Sequence, residues 1–171
     1  MSPAPLAKMT VGVVVERRKA DSPWVDFLWR PVGILPDAPD MAAWSVLREE
    51  EDTVLFYAGS RTVDLHRSET ARYRDNLATG SPMLWVVLSP AEGEWPYALA
   101  AVTADPAEGE AFTEAGANLV ESVAMPDVVR EAVESFVAEH HVEREFFKRK
   151  RDRANPEALA RRAPPPKDRP R

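Results

Sequence analysis

Chemistry in this chain would have to come from three histidines, a set of arginines and many carboxylates, because there is no cysteine. Without Cys the chain itself cannot supply thiol nucleophiles, disulfides, thiolate zinc sites or iron–sulfur ligation. His140 and His141 are adjacent, so on a helix they project about 100° apart and are poorly placed to share one ion. His66 could join one of them beside a carboxylate such as Glu69, a thin ligand set for zinc. The plainer reading makes His66 a polar strand end, and His140 and His141 cations at a helix C-terminus. No serine lies in a G-x-S-x-G setting, and the seven glycines form neither G-x-G-x-x-G nor a Walker run. No catalytic residue, metal ligand or cofactor is therefore assigned.

Two polar clusters could bind something. Arg61, His66, Arg67, Glu69, Tyr73, Arg74 and Asn76 flank a strand-to-helix junction. Free N–H groups at a helix start and nearby guanidinium donors together suit an anion. A capped helix whose arginines pair with the surrounding acid gives the same pattern. The second cluster joins Arg17 and Arg18 to Trp24, Trp29 and Arg30. Trp and Arg are enriched at interface hot spots, although Trp also builds cores. On an alternating strand one of Trp24 and Trp29 should point inward.

The elements that must position these residues follow from pattern. Met9–Glu16 is β-branched and apolar, as a strand requires. Trp24–Leu35 alternates and is interrupted at Pro31, which predicts a bulge or an edge. Further strands are predicted over 44–48, 53–59, 61–66, 83–88, 97–103 and 118–123, with Gly59-Ser60 read as a hairpin step. Ser68 is read as the N-cap of a helix closed by Gly80. A short helix spans 106–114. The last helix opens at Pro126, and Val128, Val129, Ala132, Val133, Phe136 and Val137 recur as one apolar stripe. The fold class is α+β: a mostly antiparallel, curled sheet of seven or eight short strands with two or three helices, the last packing on the sheet.

Net charge is −6, but it is unevenly placed. Residues 1–143 hold 11 Lys and Arg against 24 Asp and Glu, giving −13; residues 144–171 carry +7. The expected organisation is a flexible arm over 1–8, one domain over 9–147 and a disordered, basic, Pro-rich tail over 148–171. In that tail Lys148, Arg149, Lys150 and Arg151 suit an acidic protein partner, the chain's own acidic domain or simple solubility. No aromatic residues are interleaved with them, so nucleic-acid binding is disfavoured. No segment reaches the ~20 apolar residues of a membrane span and the N-terminus has no apolar signal region, so a cytoplasmic location is expected.

Several segments together resemble a bacterial family of unknown function. They are Glu16-Arg17-Arg18, Ser22-Pro23-Trp24, Trp29-Arg30-Pro31-Val32, Leu65-His66-Arg67 with Glu69-Thr70, Tyr73, Asn76-Leu77, and Phe136-Val137 through His140-His141-Val142 to Lys148–Arg151. Genes of that family tend to lie beside those of molybdenum-dependent formate dehydrogenase. The resemblance covers about residues 11–151 and brings no assigned functional residue. It implies a non-enzymatic accessory protein that binds a formate dehydrogenase subunit or maturation factor. Contacts would come from exposed members of the two clusters, with the tail adding electrostatic capture. A small-ligand or anion-binding module at the Arg67 junction is the alternative, and a nucleic-acid accessory using the tail ranks below both.

Overall fold

The long apolar runs at each end of the domain's first half pair with one another, which fixes the architecture. A computed structural model of the chain describes residues 4–141, which fall within one compact unit. The tail contacts expected of Lys148–Arg151, and the expected end of the domain at residue 147, lie outside the described residues. Strand β1 (Ala7–Lys19) pairs antiparallel with both β2 (Phe27–Leu35) and β4 (Thr53–Leu65). Short β3 (Ser45–Glu49) adds to β4, giving the order β2-β1-β4-β3. A second antiparallel sheet has the order β6-β5-β7, from β5 (Met83–Pro90), β6 (Tyr97–Thr103) and β7 (Leu119–Ala124). Helices α1 (Thr70–Ala78), α2 (Pro106–Glu114) and α3 (Asp127–His140) follow β4, β6 and β7. The expected antiparallel α+β architecture is present: among the described residues seven strands divide between two sheets, and the last described helix packs on them.

One core joins the two sheets. Val11, Val13, Val15, Phe56 and Val63 meet Leu84, Val86, Leu88 and Leu99, and Tyr73, Val129, Val133 and Phe136 come from the helices. Each such side chain contributes roughly 1.5–3 kcal/mol when fully buried. β5 is apolar from Met83 to Leu88, where both of its faces are covered. Its other face carries Trp85 against α2, where a Cβ on Gly109 would fall within 2.5–2.8 Å of the Trp85 side chain. Only glycine lets the helix sit that close.

Four local expectations need correction. Residues 53–65 form one strand, not two with a hairpin between them. Gly59 has φ +123° beside Ala58, the extra residue where pairing shifts from Val13↔Gly59 to Val14↔Tyr57. It marks a β-bulge, where a glycine with positive φ fits. Ser68 does not cap α1: Arg67–Glu69 is a 3-10 turn, Glu69 holds the cap position, and the Ser68 hydroxyl donates to Glu69 Oε1 at 3.2 Å. On α3, Val129, Val133 and Phe136 are buried, whereas Val128 and Ala132 are exposed. β1 begins at Ala7, inside the segment read as an arm. The interruption at Pro31 is as expected: β2 is an edge strand, and Val32 is the bulged residue opposite Val14 and Val15.

Candidate functional site

The strand-to-helix junction is built as scaffold. Asn76 is buried, and its amide donates to Met83 O at 2.8 Å and Ala104 O at 3.1 Å. Its Oδ1 accepts from Met83 N at 3.0 Å, so one side chain ties α1 to the start of β5 and the end of β6. Tyr73 is buried with its hydroxyl accepting the His66 N–H at 3.0 Å. Burial first, then the carboxylates of Asp105, Glu69 and Glu108, push the Tyr73 phenol up to about 12. The His66 N–H opposes that shift without cancelling it.

Three arginines of the junction, Arg61, Arg72 and Arg74, are engaged by the protein's own groups. Arg72 Nη1 donates to Asp105 Oδ2 at 2.8 Å and lies 2.9 Å from Glu69 Oε2, an ion pair not aligned as a hydrogen bond. Asp105 foremost raises the Arg72 pKa above its already high value. Asp105 is buried and also caps α2, accepting the Ala107 N–H at 2.9 Å. Arg61 donates to Ser60 O at 2.7 Å, while Arg67 is exposed. Arg74 Nη1 is 3.0 Å from His141 Nε2, and His141 Nδ1 is 3.1 Å from Thr70 Oγ1. Arg can only donate, so His141 accepts at Nε2 and donates from Nδ1 to Thr70. Thr70 in turn donates to Arg67 O at 3.3 Å. Among the described residues no three His, Asp or Glu side chains converge in a way that could hold a metal.

The second cluster separates into two faces. Arg17, Phe27 and Trp29 lie on the inner face, with the Arg17 guanidinium 4.4 Å from the Phe27 ring centre and 5.2 Å from that of Phe56. Trp29 stacks on Phe56 at 5.9 Å, Trp44 meets Trp29 edge-on at 5.8 Å, and Trp44 stacks on Trp95 at 5.7 Å. Such pairs contribute about 0.5–1.5 kcal/mol each beyond burial. Trp44 is held at φ 67° by its N–H to the Tyr57 carbonyl. That conformation costs roughly 1–2 kcal/mol for a non-glycine residue, and packing of the indole offsets it. Trp29 is thus the inward member of the tryptophan pair.

Trp24 is the outward one, 90% exposed. Its loop is closed by Ala20 N–H to Asp26 O at 2.9 Å, and the Trp24 N–H donates to Ser22 Oγ at 3.2 Å. Val25, Phe27 and Leu28 beside it are also exposed. On the outer face Arg18 and Arg30 both lie 3.5 Å from Glu16 Oε1. Elsewhere, a cleft of about 370 Å³ opens at the β4 bulge, lined by Trp44, Tyr57, Gly59, Arg61 and Leu99 among others.

Sequence reasoning named Arg17, Arg18, Trp24, Trp29 and Arg30 together, and the fold brings them to one end of one hairpin, on opposite faces. It missed Arg72 and Asp105, although Asp-Pro at a helix start is a capping signal. It also missed Trp44 and Trp95, which reach the cluster through long-range packing. No described helix is long and apolar enough to cross a membrane. No curated protein and no solved structure matches the chain. A family model described as "Protein of unknown function (DUF3305)" matches residues 10–151, nearly all of the described chain with its motifs, and the chain belongs to that family.

Proposed function

We propose that the protein is a non-enzymatic accessory factor that docks on another protein, and that its client is a subunit or maturation factor of a molybdenum-dependent formate dehydrogenase. The docking part is carried by Trp24, a large indole held out from a closed loop beside exposed Val25 and Leu28. Leaving that surface in water forgoes burial that a partner would supply, and contiguous exposed apolar groups mark interaction sites. The polar junction at α1 supports the same reading, because Arg72, Arg74, Glu69 and Asp105 are paired within the protein. The client rests on the motif resemblance alone.

The test is affinity capture from the native host with full-length protein and with Trp24→Ser. Formate dehydrogenase components should be enriched by the parent and depleted at least about tenfold by the variant, as for a hot-spot tryptophan. Equal enrichment by both would remove Trp24 from the docking surface, and capture without any such component would remove the client.

A further inference from the structure

We infer that the outer face of the β1–β2 hairpin is a docking site for a protein segment that carries a carboxylate next to an apolar side chain; this rests on the docking reading above and specifies its partner. Register puts the relevant groups on one face. Leu28 pairs with Arg18 and Arg30 pairs with Glu16, so two adjacent cross-strand rows present Leu28, Arg18, Arg30 and Glu16 together. Glu16 lies beneath, its side chain 16% exposed, whereas those of Arg18 and Arg30 are 57% and 56% exposed.

The donor count is unbalanced. Both guanidiniums converge on a single Glu16 oxygen at 3.5 Å, and neither donates a hydrogen bond to any described residue. Each guanidinium offers five N–H donors. While the face is wet, water satisfies them. A partner that covers Leu28 and Trp24 also strips that water, and uncompensated buried donors are costly. The partner must therefore bring acceptors, and a carboxylate matches a guanidinium fork in two parallel bonds. Leu28 lies directly across from Arg18, about 5 Å away at Cβ, so the acid and the apolar group must be close neighbours on the partner.

The surroundings argue against a phosphate chain. The acidic run Glu49–Asp52 forms the adjacent β3–β4 turn, held to β1 by the Lys19 N–H to Asp52 O at 2.8 Å. Arg48, on β3 at this end of the sheet, is paired with Glu50. A continuous polyanion running across the sheet from the two arginines would meet these carboxylates on the β4 side. An isolated acid flanked by apolar groups would not.

The experiment titrates isotope-labelled full-length protein with a short capped peptide alternating leucine and aspartate, followed by amide shifts. A leucine–lysine peptide and oligothymidylate run in parallel. The aspartate peptide should move the amides of Arg18, Leu28 and Arg30, and the response should vanish in Arg18→Gln/Arg30→Gln, whose otherwise unchanged spectrum verifies folding. Equal shifts from the lysine peptide, shifts confined to other residues, or stronger binding of oligothymidylate to this face would overturn the inference. In the affinity capture the same double variant should lose about tenfold of the client. Full retention by it, with loss by Trp24→Ser, would sink this inference and leave docking intact. Peptide binding here with no formate dehydrogenase component captured would leave the inference standing and sink the client.

Discussion

Tyr73 shows how a residue that looks like chemistry becomes scaffold. Its type and position beside His66 and Glu69 suit an acid or a donor, yet its hydroxyl accepts a main-chain N–H in the core. The phenol is held neutral up to about 12, against an ordinary value near 10. Between those two values the unfolded chain has released a proton that the folded chain retains, so stability falls as pH rises. Below about 10 the contribution is fully present. The loss should amount to something on the order of 2 kcal/mol by about pH 12. Urea unfolding across that range should show this slope in the parent and a flatter one in Tyr73→Phe. At neutral pH the variant should be about 1 kcal/mol less stable through loss of the His66 bond. Equal slopes would mean that Tyr73 is not the group responsible. The types of Tyr73 and Asn76 were legible in the sequence as special. Their direction was not, because only the packed fold shows that a polar atom meets buried main chain.

At the scale of elements, pattern revealed the strands but not their partners. The β-branched and apolar content of 53–65 is plain, and Gly59-Ser60 in its middle matches a hairpin signal. What makes it one strand is β1, whose residues from Ala7 to Arg18 pair along both halves of β4, a long-range fact absent from any local window. Gly59 then serves as a bulge at φ +123°, with space for a methyl 3.7 Å from Ala43 Cβ. Gly59→Ala should therefore destabilise through backbone strain, by roughly 1–3 kcal/mol. Thermal melting would check it, and an unchanged midpoint would show that the bulge relaxes freely. The α3 stripe was drawn too wide for a related reason. Periodicity locates an apolar face, but contact with α1 and the core sets its width, and that leaves Val128 and Ala132 in water.

Across the whole molecule, the hairpin end is one of two places where the acidic domain gathers cations, the α1 junction being the other. Arg17, Arg18, Lys19 and Arg30 lie within one hairpin of a region carrying −13. The membership of this candidate site was readable, since Trp and Arg in one short stretch are a known interface signature. Its division into an aromatic inner face and a guanidinium outer face was not. That division depends on the register closed at Lys19↔Phe27 and on the arrival of Trp44 and Trp95 from distant loops.

The aromatic inner face also gives the protein an optical signature. The indoles of Trp44 and Trp95 are 5.7 Å apart and inclined by only 20°, so their transitions couple. A paired circular-dichroism band should accompany that coupling and vanish on unfolding, or in Trp95→Phe. Trp24 stands apart from the cluster and in water, so its emission should be red and readily quenched by iodide. One label-free sample therefore holds two separable reporters, a dichroic pair that follows folding and a single fluorophore that follows docking.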